Sequence, residues 1–223
     1  VVLAVAIAIP VQQMAPAGVV TARPRGVKLT YPASRPDLSQ DTVSRTNLRA
    51  RNEKAIINSC LDYVEAQLNY FRSDQDADGF LAFAERIRST PGRHDGLYWA
   101  IGADDDESPM GPNFAAAAIT EQEASDDIRP FFGYYFKMLL SQGPEAVGGA
   151  RDYRIDGRLV AGFALVAWPA DYGTSGVRSF LVNHLGDVYA KDLGPETPRS
   201  ASAMTEFSPD WTWTKAASAA DHR

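Results

Sequence analysis

Residues 74–85 read DQDADGFLAFAE, which sets Asp74, Asp76 and Asp78 at alternate positions, then Gly79, and Glu85 at the twelfth place. This is the D-x-[DN]-x-[DN]-G-x5-E pattern of a calcium loop. In that chemistry the three aspartates offer side-chain oxygens, Phe80 gives a backbone carbonyl, and Glu85 closes the shell with both carboxylate oxygens. Gly79 permits the sharp bend, and Leu81 fills the apolar eighth position. Ala82 at the ninth place holds no water, and an exit helix has little room before Ser89-Thr90-Pro91-Gly92. Four carboxylates so close together repel one another without a cation. A weak calcium site is therefore expected at Asp74, Asp76, Asp78, Phe80 and Glu85.

Other reactive residues form no comparable pattern. The acidic run ADDDES (103–108) lacks ligand spacing and reads as a solvated loop. His94 beside Asp95 raises a general-base reading with Ser89 or Ser108 as nucleophile. A triad, however, is made by convergence in space and not by adjacency in sequence. YGTSGV is not a nucleophile elbow, because Val177 stands where the second glycine belongs. His184 falls near a hairpin and His222 in the tail, too scattered for a hydrolytic metal centre. No Gly-Lys-Ser/Thr run marks a phosphate loop. Cys60 is the single cysteine, which excludes an internal disulfide and a multi-cysteine zinc site; it reads as a buried, inert thiol. Trp99, Trp168, Trp211 and Trp213 read as core or interface residues. The expectation is a protein with no catalytic residues, no organic cofactor and calcium as its ion.

The elements that must position these residues divide the chain in two. A formal charge of −6 argues against a nucleic-acid partner, and 45% hydrophobic residues suit a globular rather than a disordered protein. Its 223 residues suffice for one sizeable domain or two small ones. Ile57, Cys60, Leu61, Val64, Leu68 and Phe71 share one face of a helix expected from about Ser44 to Arg72. Asn52, Glu53, Glu65 and Asn69 take its other faces. After Pro130 the pattern turns to strands: GYYFKMLLS (133–141), DYRI and RLVAGFALVAW joined by Asp156-Gly157, then GVRSFLVN (176–183) and DVYAKD (187–192) around Leu185-Gly186. The fold class expected is α+β, a long helix packed on an antiparallel meander.

The start is different in kind. VVLAVAIAIP (1–10) is apolar to Pro10 and resembles a secretory core followed by an Ala15-Pro16-Ala17 cleavage site. The segment is expected to be retained. Pro10, Gln12 and Gln13 interrupt it well short of the roughly 20 apolar residues that span a bilayer. Pro16, Pro24, Pro32 and Pro36 then impose extended chain. The division expected is an apolar anchor or assembly segment (1–17), a proline-rich arm (18–43), a globular head (44–214) and a tail (215–223).

The ordered motifs RNEKAI, YVEAQLNYF, STPGRHDGLYW, SPMGP, GYYFKMLLSQGPEAVGGARDY, GFALVAWPADYGTSGV and VYAKDLGPET resemble those of an exported bacterial family, domain of unknown function 2950. The resemblance covers about residues 51–214. It implies export and no established activity. A second resemblance is to type IV pilins and pseudopilins: AIAIP (6–10), the NLRARNEKAI stretch (47–56), and the order helix, loop, antiparallel strands. It implies a pilin-like head. The function expected is a structural subunit of an exported filament or surface assembly, contacting copies of itself or other subunits through residues 1–43. The alternative is an N-terminally anchored periplasmic accessory subunit of a membrane complex.

Overall fold

The structure, a computed structural model, describes residues 38–73, 79–100, 107–119 and 128–222. The apolar segment 1–17 and the arm as far as residue 37 lie outside the described residues.

Helix α1 (Leu38–Ser73) is 36 residues long and begins before Ser44, inside the stretch given above to the arm. From Asp37 to Ser73 the sequence holds neither proline nor glycine, so nothing stops the helix once Pro36 is passed. The early turns escape a periodicity reading because they bury nothing: Thr42 to Leu48 are all exposed. Of the expected stripe, Cys60 and Val64 are buried, and the buried face is turned from there toward Ile56 and Tyr63. The deepest line is Glu53, Ile56, Cys60, Tyr63, Gln67 and Tyr70, stepping by three and four. Ile57, Leu61 and Leu68 pack half-buried on its flank. Glu53, read above as outward-facing, is 7% exposed.

The strands are β1 (Tyr134–Leu139), β2 (Ser141–Gln142), β3 (Arg151–Asp152), β4 (Arg154–Ile155), β5 (Arg158–Leu159), β6 (Ala164–Pro169), β7 (Arg178–Asn183), β8 (Asp187–Asp192) and β9 (Thr214–Ser218). Five of them form an antiparallel sheet in the order β1-β6-β7-β8-β9, so the α+β class stands. β2 pairs with β3 and β4 with β5 as small ribbons between β1 and β6. The β4–β5 turn is Asp156 (φ 50°) and Gly157 (φ 80°), the mirror-image turn expected of that dipeptide. β9 runs through residues assigned above to a tail. Thr214-Lys215-Ala216-Ala217-Ser218 has no apolar alternation because it is an edge strand, held by Lys215 and Ser218 on Asp187 (2.6 and 2.8 Å).

Every residue of β6 is buried, which requires cover on both faces. Register aligns Phe136, Ala167, Phe180 and Ala190 across the face that α1 covers. The other face carries Lys137, Val166, Leu181 and Tyr189; there α3 (Thr197–Ser202) packs on β6, and Lys137 donates to the Ser202 carbonyl at 3.0 Å. Among the described residues between α1 and β1 the one helix is α2 (Pro112–Ala116). This segment is pinned at several points. Buried Gln67 on α1 both donates to the Ala84 carbonyl and accepts from its amide, each at 2.9 Å. The Phe83 amide donates to Leu159 (2.7 Å). Arg88 donates to the carbonyls of Ala115, Ala116 and Ala118, closing the end of α2. Residues 117–119 then pair with Phe136 and cover the outer edge of β1.

Candidate functional site

Of the expected calcium shell, Asp74, Asp76 and Asp78 lie outside the described residues. Gly79 has φ +83°, the left-handed bend that the motif asks of its sixth position. Phe80 is 60% exposed, with the Arg158 guanidinium 4.1 Å over its ring, and Glu85 is exposed. Beyond Gly79 the chain is not helical and is tied at Phe83 and Ala84, where a paired calcium loop would continue as a helix. Among the described residues no three His, Cys, Asp or Glu side chains gather as a metal-binding group.

The residues that suggested a triad have other engagements. The His94 ring stacks on Trp99, centroids 4.2 Å apart, and the His94 carbonyl accepts from the Tyr70 hydroxyl at 3.1 Å. Asp95 accepts from the Thr90 amide (2.7 Å) and hydroxyl (2.8 Å), with Arg86 at 3.9 Å. Burial opposes its ionisation, but these three partners outweigh burial and hold it below the ordinary carboxylate range. Asp95 thus ties the Thr90-Pro91-Gly92 turn. Ser108 donates to the Met110 carbonyl at 2.9 Å. Residues 103–106 of the acidic run lie outside the described residues. Cys60 is fully buried, and burial followed by the nearby Asp62 charge pushes its thiol up to about 12, where it is not a nucleophile. His184 sits in the β7–β8 turn, edge-on to Tyr153 and Phe163. Its Nδ1 is buried without a hydrogen-bond partner among the described residues. Burial and then Arg151 hold it below the usual histidine pKa.

Two arrangements emerge that the sequence reading did not name. The first is a clamp between α1 and the β6–β7 loop. Arg49 donates to the Gly173 carbonyl (3.2 Å) and Asn52 to that of Ser175 (2.8 Å). The Glu53 carboxylate accepts from the amides of Val177 (3.1 Å) and Arg178 (3.2 Å) and pairs with the Arg178 guanidinium at 2.7 Å. Tyr134 donates its hydroxyl to the Arg178 carbonyl at 2.9 Å. Gly176 is where the loop slips past the Tyr134 ring, which a Cβ there would strike. The second is a cleft of about 460 Å³ between α1 and the Pro109–Phe114 stretch. Asp62, Glu65 and Asn69 line it from α1, and Phe114 and Phe131 line it as well. Burial and then the Glu65 charge raise the Asp62 carboxyl above its ordinary value.

Residues 40–216 match the model of a family described as protein of unknown function (DUF2950). The chain belongs to this family. No curated protein and no solved structure matches it. The match spans this DUF2950 protein from α1 into β9. The motifs that carried the resemblance now have structural work. Asn52 and Glu53 in RNEKAI clamp GTSGV, Thr90 and Asp95 in STPGRHDG close a turn, and SPMGP forms a cleft wall. One signal for the cleft was present in sequence: Asp62, Glu65 and Asn69 follow helical spacing on a single face.

Proposed function

We propose that this chain is a non-enzymatic structural subunit of an exported, pilin-like filament or surface assembly, joined through residues 1–43 and the adjoining turns of α1, with a calcium-stabilised head. The observation that carries the reading is the unpacked beginning of α1. A 36-residue helix is about 54 Å long, while a six-residue strand covers about 20 Å. The helix docks on the sheet from Arg49 onward, and its earlier turns show Val43 (60% exposed) and Leu48 (48% exposed) to solvent. A helix held in register by a buried carboxylate, with residues 42–48 exposed before it, suits contact with other subunits. The order of long helix and antiparallel sheet agrees with a pilin-like head.

Trp211, 92% exposed, favours a second reading, the anchored periplasmic accessory subunit, because a bare tryptophan outside α1 suits a lateral contact. Native material examined by negative-stain microscopy separates the two, showing filaments or discrete particles. Val43→Asp with Leu48→Asp should abolish assembly in light scattering and leave the melting temperature unchanged. Undiminished assembly in that variant overturns the reading.

A further inference from the structure

The cleft beside α1 plays no part in the assembly reading, and its chemistry is specific. Its volume, about 460 Å³, lies within the range of small-ligand sites. The cleft is built by fixed elements. The Met110 amide donates to Leu97 (2.8 Å), Pro112 opens α2, and Phe114 is buried with its ring 4.3 Å from that of Phe136. At Gly111 a Cβ would meet no atom within 4 Å, so this wall faces open space. Across from it stand Asp62 and Glu65, neither of which forms an ion pair or accepts a hydrogen bond among the described residues. Two carboxylates do not make a metal shell, and no third ligand joins them among the described residues. Met110, Phe114 and Phe131 line the same cleft, which matches a cation that carries its own apolar stem.

We infer that this cleft binds a primary ammonium on a short alkyl chain, the carboxylates of Asp62 and Glu65 taking the charge and Met110, Phe114 and Phe131 the stem. The ammonium gains charge-assisted hydrogen bonds, and the rings add a cation–π contribution. Burial and then the Glu65 charge raise the Asp62 carboxyl, and a bound cation offsets the second of these. The inference does not rest on the assembly reading, since a subunit that never assembles would still carry the cleft.

Titration calorimetry of the full chain tests it, with 1,5-diaminopentane and a peptide bearing one lysine as the two sources of the group. Pentan-1-ol serves as the uncharged control and calcium chloride as the bare cation. Saturable binding of the diamine, the lysine peptide or both, with no heat from the alcohol, is the expected result. The stronger of the two identifies the source as a free amine or a partner's side chain. Asp62→Asn or Glu65→Gln should each weaken binding about tenfold. Both residues are exposed, so the melting temperature should hold and the loss be attributable to charge. Met110→Ala should weaken the diamine and not calcium. The inference is overturned if neither amine binds in the millimolar range, if calcium binds as tightly and displaces the amine, or if both charge variants bind as the parent does.

Discussion

Glu53 answers at the scale of one residue what fixes the long helix against the sheet. Its two oxygens accept two strand-end amides and a guanidinium, all within 3.2 Å. Removing one side of a buried pair strands its partners, a larger loss than the pair itself contributes. Glu53→Ala should cost about 3 kcal/mol, discounted from a fully buried pair because Arg178 is itself half-exposed. Glu53→Gln should cost less, because the amide oxygen still accepts from the strand. Urea midpoints measure both, and a midpoint unmoved in Glu53→Ala removes the clamp from the account. His184 gives a second residue-scale expectation. Its folded pKa lies below the unfolded value of about 6.5, so between the two the unfolded chain binds the extra proton. Stability should therefore fall as pH drops through 6.5 and level off below the folded pKa. His184→Asn should flatten that slope relative to the parent. Parallel curves for parent and variant would show that the ring protonates freely in the fold.

Elements were legible where burial follows an apolar period and hidden where polar residues do the burying. β1, β7 and β8, and the Asp156-Gly157 turn, announce themselves by apolar runs between turn residues or by turn chemistry. The buried face of α1 departs in part from the apolar stripe because its deepest line includes Glu53 and Gln67, residues that a hydrophobic pattern sends outward. Both are buried because each satisfies backbone groups of another segment, a pairing that only the folded topology supplies. The cleft was hidden for a related reason, since its walls come from α1 and a loop distant in sequence. The same logic predicts which loop glycine the fold cannot replace. Gly176→Ala places a methyl group against the Tyr134 ring, while Tyr134 is held at its hydroxyl by the Arg178 carbonyl. Overpacking of this kind costs about 1–3 kcal/mol. Gly149→Ala, where a Cβ meets nothing within 4 Å but the backbone has φ +75°, reports backbone strain alone. If Gly176→Ala melts with the parent, the loop is looser than the clamp requires.

For the whole molecule, the acidic loop matters because of what stands on either side of it. α1 ends at Ser73, and by Phe83 and Ala84 the chain is already tied to β5 and back to Gln67. Residues 74–85 are therefore the joint between the helix and everything that follows it. The sequence sets four carboxylates within these twelve residues, and a bound cation would offset their repulsion. An ion that binds only the folded chain stabilises the entire cooperative unit, by about 2.7 kcal/mol at a hundred times its dissociation constant. Even a site in the ~10⁻⁴–10⁻³ M class then acts where calcium is millimolar, as it is outside cells. Calcium should raise the melting temperature of the full chain and a chelator should lower it. Asp76→Ala or Glu85→Gln should abolish the difference while leaving the chelated melting temperature unchanged or higher, since each removes a repelling charge. Magnesium should substitute poorly, because it demands a tighter octahedral shell. Asp62→Asn, in the cleft, should leave the calcium shift intact, which separates this loop from the amine site. Equal melting with calcium and with chelator would make DQDADGFLAFAE a turn that merely carries charge.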